Sequence, residues 1–154
     1  MRDLLERVEE LLLLQEKLVN LLLISGTQKA RLSVNTAFDI LYYNIELLDM
    51  IGELLSSPEE LRDDYAVNLI LEALSWMVFL LPAIEESCPI FFHGIRTRES
   101  DPMQKIKFIL GYLEESHRKG NYNALVDAVE QVQSVSNLLK YQIVLARKAY
   151  MNLA

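Results

Sequence analysis

The amino-acid sequence predicts an all-α domain, an antiparallel up-and-down helical bundle of four long helices plus one shorter helix. Apolar residues return every three or four positions over long stretches, the spacing of one helix face. Helix-start and helix-stop residues punctuate the chain where those stretches begin and end. Leu dominates, while Val, Ile and Thr are scattered rather than gathered into the alternating runs of strands. The chain has 154 residues, 51% of them hydrophobic, with only five Gly and four Pro. Residues 1–154 are therefore read as one domain with a sizeable core, and low complexity is excluded.

The first helix is expected over 4–24, capped by Asp3, with Leu4, Val8, Leu11, Leu12, Leu18 and Leu22 as its inner stripe. The leucine blocks 11–14 and 21–24 widen that stripe beyond what one neighbour covers. Ser25-Gly26-Thr27 ends it, with Gly26 as a left-handed terminus and Thr27 as the next cap. The second helix is expected over 28–55. Its inner line is Val34, Phe38, Leu41, Ile45, Leu48, Gly52 and Leu55, and its outer line is Arg31, Asn35, Asp39, Tyr42, Glu46, Asp49 and Glu53. Ser57-Pro58-Glu59-Glu60 has the cap, first-turn proline and reciprocal glutamate of a helix start, opening a third helix to about residue 86 with a kink expected at Pro82. Residues 87–101 have no helical period. Asp101-Pro102-Met103-Gln104 repeats the start signal for a shorter helix, stopped by Gly120-Asn121. The last helix carries the longest seam: Tyr122, Leu125, Val129, Val132, Ser136, Leu139, Ile143, Ala146, Tyr150 and Leu153. The links between helices are short, which makes successive helices antiparallel neighbours.

The charge is uneven. Residues 1–87 hold sixteen acidic and six basic side chains, and residues 88–154 hold six acidic and nine basic. The two halves are expected to pack with complementary surfaces; a head-to-tail contact between protomers is the sharper alternative. A net charge of −7 repels phosphate backbones, so no nucleic-acid partner is expected. Cys88 is the single cysteine, which excludes an internal disulfide and fits a reducing, cytoplasmic setting. The N-terminal residues lack the basic-then-apolar order of a signal peptide. Residues 65–83 approach the length of a membrane span, yet Asn68, Glu72, Ser75, Pro82 and Glu86 fall on one line. A central helix buried on most of its circumference explains that pattern, and no membrane role is expected.

Catalytic signatures are missing from the pattern. Glu114-x-x-His117 matches half of a carboxylate di-iron ligand set, but Ile90 stands three residues before His93, so no second pair exists. No arginine stands about five residues before either histidine, as HEPN-type ribonucleases require. Neither a glycine-rich phosphate loop nor a nucleophile elbow is present. Cys88 precedes a proline in an apolar setting, which suits a small buried hydrophobe. Glu6-x-x-Glu9 and Glu46-x-x-Asp49 resemble, in letters, the paired motifs with which all-α nucleoside triphosphate pyrophosphohydrolases hold Mg²⁺. A hairpin about Ser56-Ser57 would also set Glu53 beside Glu60 and Asp49 beside Asp64, with Glu46 and Asp63 close by. A Mg²⁺-dependent phosphohydrolase is thus the alternative reading.

The first reading is a non-enzymatic protein–protein interaction module with no cofactor. The surplus apolar circumference of the first and third helices suits a homodimer or a groove for a partner helix. In size and acidity the chain is similar to small helical chaperones of bacterial export and flagellar assembly. The segment Pro89-Ile90-Phe91-Phe92-His93-Gly94-Ile95-Arg96-Thr97-Arg98 joins paired aromatics to arginines, the types enriched at binding hot spots. Phe91, Phe92, Arg96 and Arg98 are therefore the candidate partner-binding residues. If they meet a partner, Phe91→Ala and Phe92→Ala weaken its capture and leave thermal melting unchanged. A fall of about 4 °C or more in both variants would assign the rings to the core instead.

Overall fold

The computed structural model describes residues 2–24, 34–57, 59, 64–87 and 101–153. Among them every regular element is a helix: α1 (Arg2–Ile24), α2 (Val34–Leu55), α3 (Asp64–Ser87), α4 (Pro102–Arg118), α5 (Tyr122–Asp127) and α6 (Val129–Leu153). The all-α expectation holds.

The local signals act as expected where they are described. Asp101 caps α4 by accepting from the Met103 amide at 3.0 Å, and Pro102 opens the first turn. At the far end Gly120 takes φ 68°, the left-handed conformation that glycine adopts without a Cβ clash. The Gly120 amide then reaches the His117 carbonyl at 3.0 Å, and the Asn121 amide reaches Ser116 at 2.9 Å. These two bonds form a Schellman terminus, which satisfies the Ser116 and His117 carbonyls and folds the chain back. Asn121 caps the next turn through Ala124. The expected last helix is divided: α5 ends at Asp127, and Ala128 interrupts the repeat before α6. Pro82 lies inside α3, which continues past it to Ser87. The signals at 25–33 and at Pro58 and Glu60 lie outside the described residues.

α2, α3, α4 and α6 form a ring in which each packs on the next and α6 closes on α2. α1 packs outside that ring, against α2 and α3. The shorter helix is therefore a full member of the four-helix ring, and the long first helix is the added one. The expected four long helices (α1, α2, α3 and α6) and one shorter helix (α4) are present. The closing contact runs antiparallel. Gly52 faces Val132 and Gln133, Asp49 meets Ser136 and Lys140, and Arg147 lies over Phe38 and Tyr42.

The core is aliphatic and continuous: Leu11, Leu41, Leu48, Ile51, Leu74, Leu80, Ile109, Val132 and Leu139 are among its fully buried members. α2 buries more than the expected line, because Ala37, Ile40, Leu47 and Leu54 are enclosed as well as Leu41, Ile45, Leu48 and Leu55. Three neighbours explain this. α3 over Asp64–Glu86 is long and apolar enough to cross a membrane by length and composition. Its exposed line is Asn68, Glu72, Ser75, Phe79, Pro82 and Glu86, and α1, α2 and α4 cover the rest.

One polar pair sits inside this core. Gln15 of α1 donates to Asn44 Oδ1 of α2 at 2.7 Å, and Asn44 donates to the Ile40 carbonyl at 2.7 Å. Both residues are fully buried. Gln15 Oε1 has no hydrogen-bond partner among the described residues. A buried acceptor left in that state costs about 1–3 kcal/mol, so the pair specifies the seating of α1 rather than adding stability. Asn44→Ala is expected to destabilise the fold by about 2–3 kcal/mol in denaturant unfolding, because the Gln15 amide then loses its acceptor. Gln15→Leu combined with Asn44→Leu removes both partners and restores stability to within about 1 kcal/mol of the parent.

Candidate functional site

The candidate partner-binding residues Phe91, Phe92, Arg96 and Arg98 lie outside the described residues, as do Cys88 and His93. The site is built instead from what the helices bring to the surface.

The carboxylates expected to gather at the α2–α3 turn are distributed among separate partners. Glu46 turns to α1, where Arg7 donates to its Oε1 at 3.1 and 2.9 Å and to Glu10 at 3.0 Å. The hydrogen bonds that Arg7 donates to Glu46 first and Glu10 second hold its guanidinium protonated even above its ordinary range. Asp49 turns to α6, accepting from the Ser136 hydroxyl at 2.6 Å and pairing with Lys140 at 2.9 Å. Asp64 meets His117 of α4 at 3.0 Å. Glu9 accepts from the Tyr65 hydroxyl at 2.7 Å. Asp49 and Asp64 therefore face different helices, and their expected pairing is corrected. A side chain's place around α2 decides whether α1 or α6 is in reach. Glu60 and Asp63 lie outside the described residues. Among the described residues no group of three or more His, Cys, Asp or Glu could hold a metal ion.

Glu114 and His117 do not share a ligand set either. Glu114 is exposed, and His117 ties the end of α4 to the start of α3. Beside them Glu115 accepts from Arg118 at 2.7 Å and meets Lys119 at 3.2 Å, and these bonds hold its carboxyl below the ordinary range. Such a group adds its small surface contribution above the ordinary carboxylate range and loses it on acidification.

The apolar surface is more informative. A groove of about 220 Å³ runs between α1 and α3, lined by Glu9, Leu12, Leu13, Glu16, Tyr65, Leu69 and Glu72. Leu13 is 59% exposed and Tyr65 50% exposed, so the groove is open to another molecule. α1 and α3 run parallel here, since Glu9 is level with Tyr65 and Gln15 with Ala73. Carrying that register onward sets Leu21 level with Phe79, both of which are exposed. The sequence had marked the first and third helices as having surplus apolar circumference, and this is where it lies.

Sequence reasoning did not single out two further surfaces. Phe108 of α4 is 65% exposed and stacks on Tyr112 with ring centres 6.4 Å apart. The pair borders a depression of about 210 Å³ with Ile109, Asp127, Ala128 and Gln131. Tyr141 and Val144 stand outward on α6. The signal for the first was present in the spacing: Phe108 and Tyr112 make a second apolar line beside the buried Ile106, Ile109 and Leu113.

A family model described as "Uncharacterized protein" matches residues 1–153, and the chain belongs to that family. It is similar to an uncharacterized protein of Aquifex aeolicus (strain VF5), 22% identical over 144 residues that span 91% of this chain and 88% of the relative. No solved structure matches.

The carboxylate geometry generates a direct test. Millimolar Mg²⁺ or Mn²⁺ is expected to leave the melting temperature within about 1 °C of the metal-free value, because Arg7 and Lys140 already serve as the counter-cations of Glu46 and Asp49. A metal-dependent rise of about 3 °C or more would restore the phosphohydrolase reading.

Proposed function

We propose that the protein is a non-enzymatic, cytoplasmic interaction module that receives the apolar side chains of another polypeptide on its α1–α3 face. The observation that carries this reading is the open groove with Leu12, Leu13 and Leu69 on its floor, continued along the same two helices by exposed Leu21 and Phe79. An exposed leucine alone is ordinary on a protein surface. Several apolar side chains along two adjacent helices are what a binding surface requires. The occupant is a second copy or the amphipathic helix of a partner, because the described residues form helices and offer no strand edge to extend.

The test compares the parent with Leu13→Glu combined with Phe79→Glu. Both positions are exposed, so melting should stay within about 2 °C of the parent. Cross-linking in extracts of the native cells, with light scattering of the purified protein, should show a discrete polypeptide or second copy on the parent and not on the variant. Equal recovery on both, or none on either, would overturn the reading.

A further inference from the structure

Resting on that reading, we infer that the occupant of the α1–α3 groove is a cationic amphipathic helix of a partner protein. Its apolar side chains sit on Leu12, Leu13 and Leu69, and its Lys or Arg residues face Glu9, Glu16 and Glu72.

The charge of the groove is the first argument. Its lining holds three carboxylates and no basic side chain. Glu9 accepts from the Tyr65 hydroxyl and Glu72 from the Trp76 indole N–H, and both donors are neutral, so neither negative charge is cancelled. Glu16 makes no ion pair among the described residues. Some carboxylates elsewhere are matched, Glu10 and Glu46 by Arg7, Asp49 by Lys140, and Glu115 by Arg118 and Lys119, while among the described residues Asp39, Glu53, Glu114 and Glu130 stand singly. What sets the groove apart is that three carboxylates without an ion pair among the described residues border one apolar depression. The fold sets the sign of the groove. α1 packs on α2 and α3, all from the acidic half of the chain, while Lys105, Lys107, Lys140 and Lys148 stand on α4 and α6.

Shape and symmetry narrow the occupant. A volume of about 220 Å³ falls below the ~300 Å³ at which small-molecule pockets begin, yet suits side chains entering from a helix laid along two parallel helices. A second copy using the same face would set Glu9, Glu16 and Glu72 against their own counterparts, since a two-fold contact is self-complementary. An anionic lipid surface meets the same repulsion. A cationic helix fits every term.

The experiment uses two synthetic amphipathic helices of about 18 residues, long enough to hold helical structure, with Leu at three-four spacing and either Lys or Glu at the remaining positions. Binding to the full chain is read by fluorescence anisotropy. The Lys peptide should bind, and the Glu peptide should not. Its affinity should fall about tenfold between roughly 0.05 and 0.3 M salt, as the screening length shortens. Glu16→Lys with Glu72→Lys should weaken it by about tenfold or more. Asp39→Lys with Glu53→Lys changes net charge equally on the exposed side of α2 and should weaken it less than about twofold. Equal losses in the two double variants would overturn the inference, because attraction to the whole acidic protein would then account for binding. Failure of the Lys peptide to bind also overturns it. In that case a second copy lost on Leu13→Glu would leave the interaction-module reading standing, and no such copy would remove both.

Discussion

The ring of four helices depends on α2 and α6 meeting, although nearly ninety residues separate the groups that touch. Every other neighbouring pair in the ring is joined by consecutive chain, so its contact is close to automatic once each helix forms. The α2–α6 seam has no such tether and must bring its own complementarity. It has three kinds along its length. Aliphatic side chains such as Leu41, Leu48, Val132 and Leu139 leave water together. Asp49 bridges Ser136 and Lys140 near the middle, and Arg147 covers the rings of Phe38 and Tyr42 at 5.9 and 5.1 Å near the end. The aliphatic part supplies the energy. The directional groups fix which residue faces which, since a slip of one helical turn would strand Asp49 and Arg147 together.

α1 is attached on different terms. It adds Val8, Leu11, Leu12 and Val19 to the interior, but also Gln15, and the amide pair it makes with Asn44 is satisfied only in one seating. An apolar residue at that place would allow α1 to slide along the α2–α3 trough at little cost. The buried amides remove that freedom, much as a polar core position selects register in helical assemblies. The parallel alignment of α1 on α3 follows, and with it the groove whose walls are spaced by that alignment.

Helix type, the α4 cap, its glycine stop and the outer face of α2 were legible in the sequence, because each depends on residues within a turn or two of one another. Asp101, Gly120 and the line Asn35, Asp39, Tyr42, Asp49 and Glu53 stand where local rules set them. The interruption at Ala128 was not legible: Leu125, Val129 and Val132 keep the helical spacing across it. The burial of Gln15 was hidden for another reason. A polar residue reads as outward-facing until its partner is known, and Asn44 is a contact between helices. The acidic turn failed on the same ground. Spacing places Glu46, Asp49 and Glu53 on one side of α2, but only the positions of α1 and α6 show that two of them are drawn apart. For the groove, sequence identified the two helices with excess apolar surface, and their parallel register was needed to join that surface into one face.

The uneven charge of the chain takes its meaning from this arrangement. Packing the halves against each other matches some opposite charges, as Asp49 with Lys140 demonstrates. It does not match them all, because the ring order sets α4 and α6 along one side, while among the described helices α1 packs mainly on α2 and α3. An added helix drawn from the acidic half therefore carries Glu9 and Glu16 to a groove whose lining holds no basic side chain. Unmatched charge at an exposed apolar groove weakens association with copies of itself and favours a partner of opposite sign. The same negative field also speeds the approach of such a partner from solution. In the proposed complex, selectivity comes as much from what the glutamates repel as from what the leucines hold.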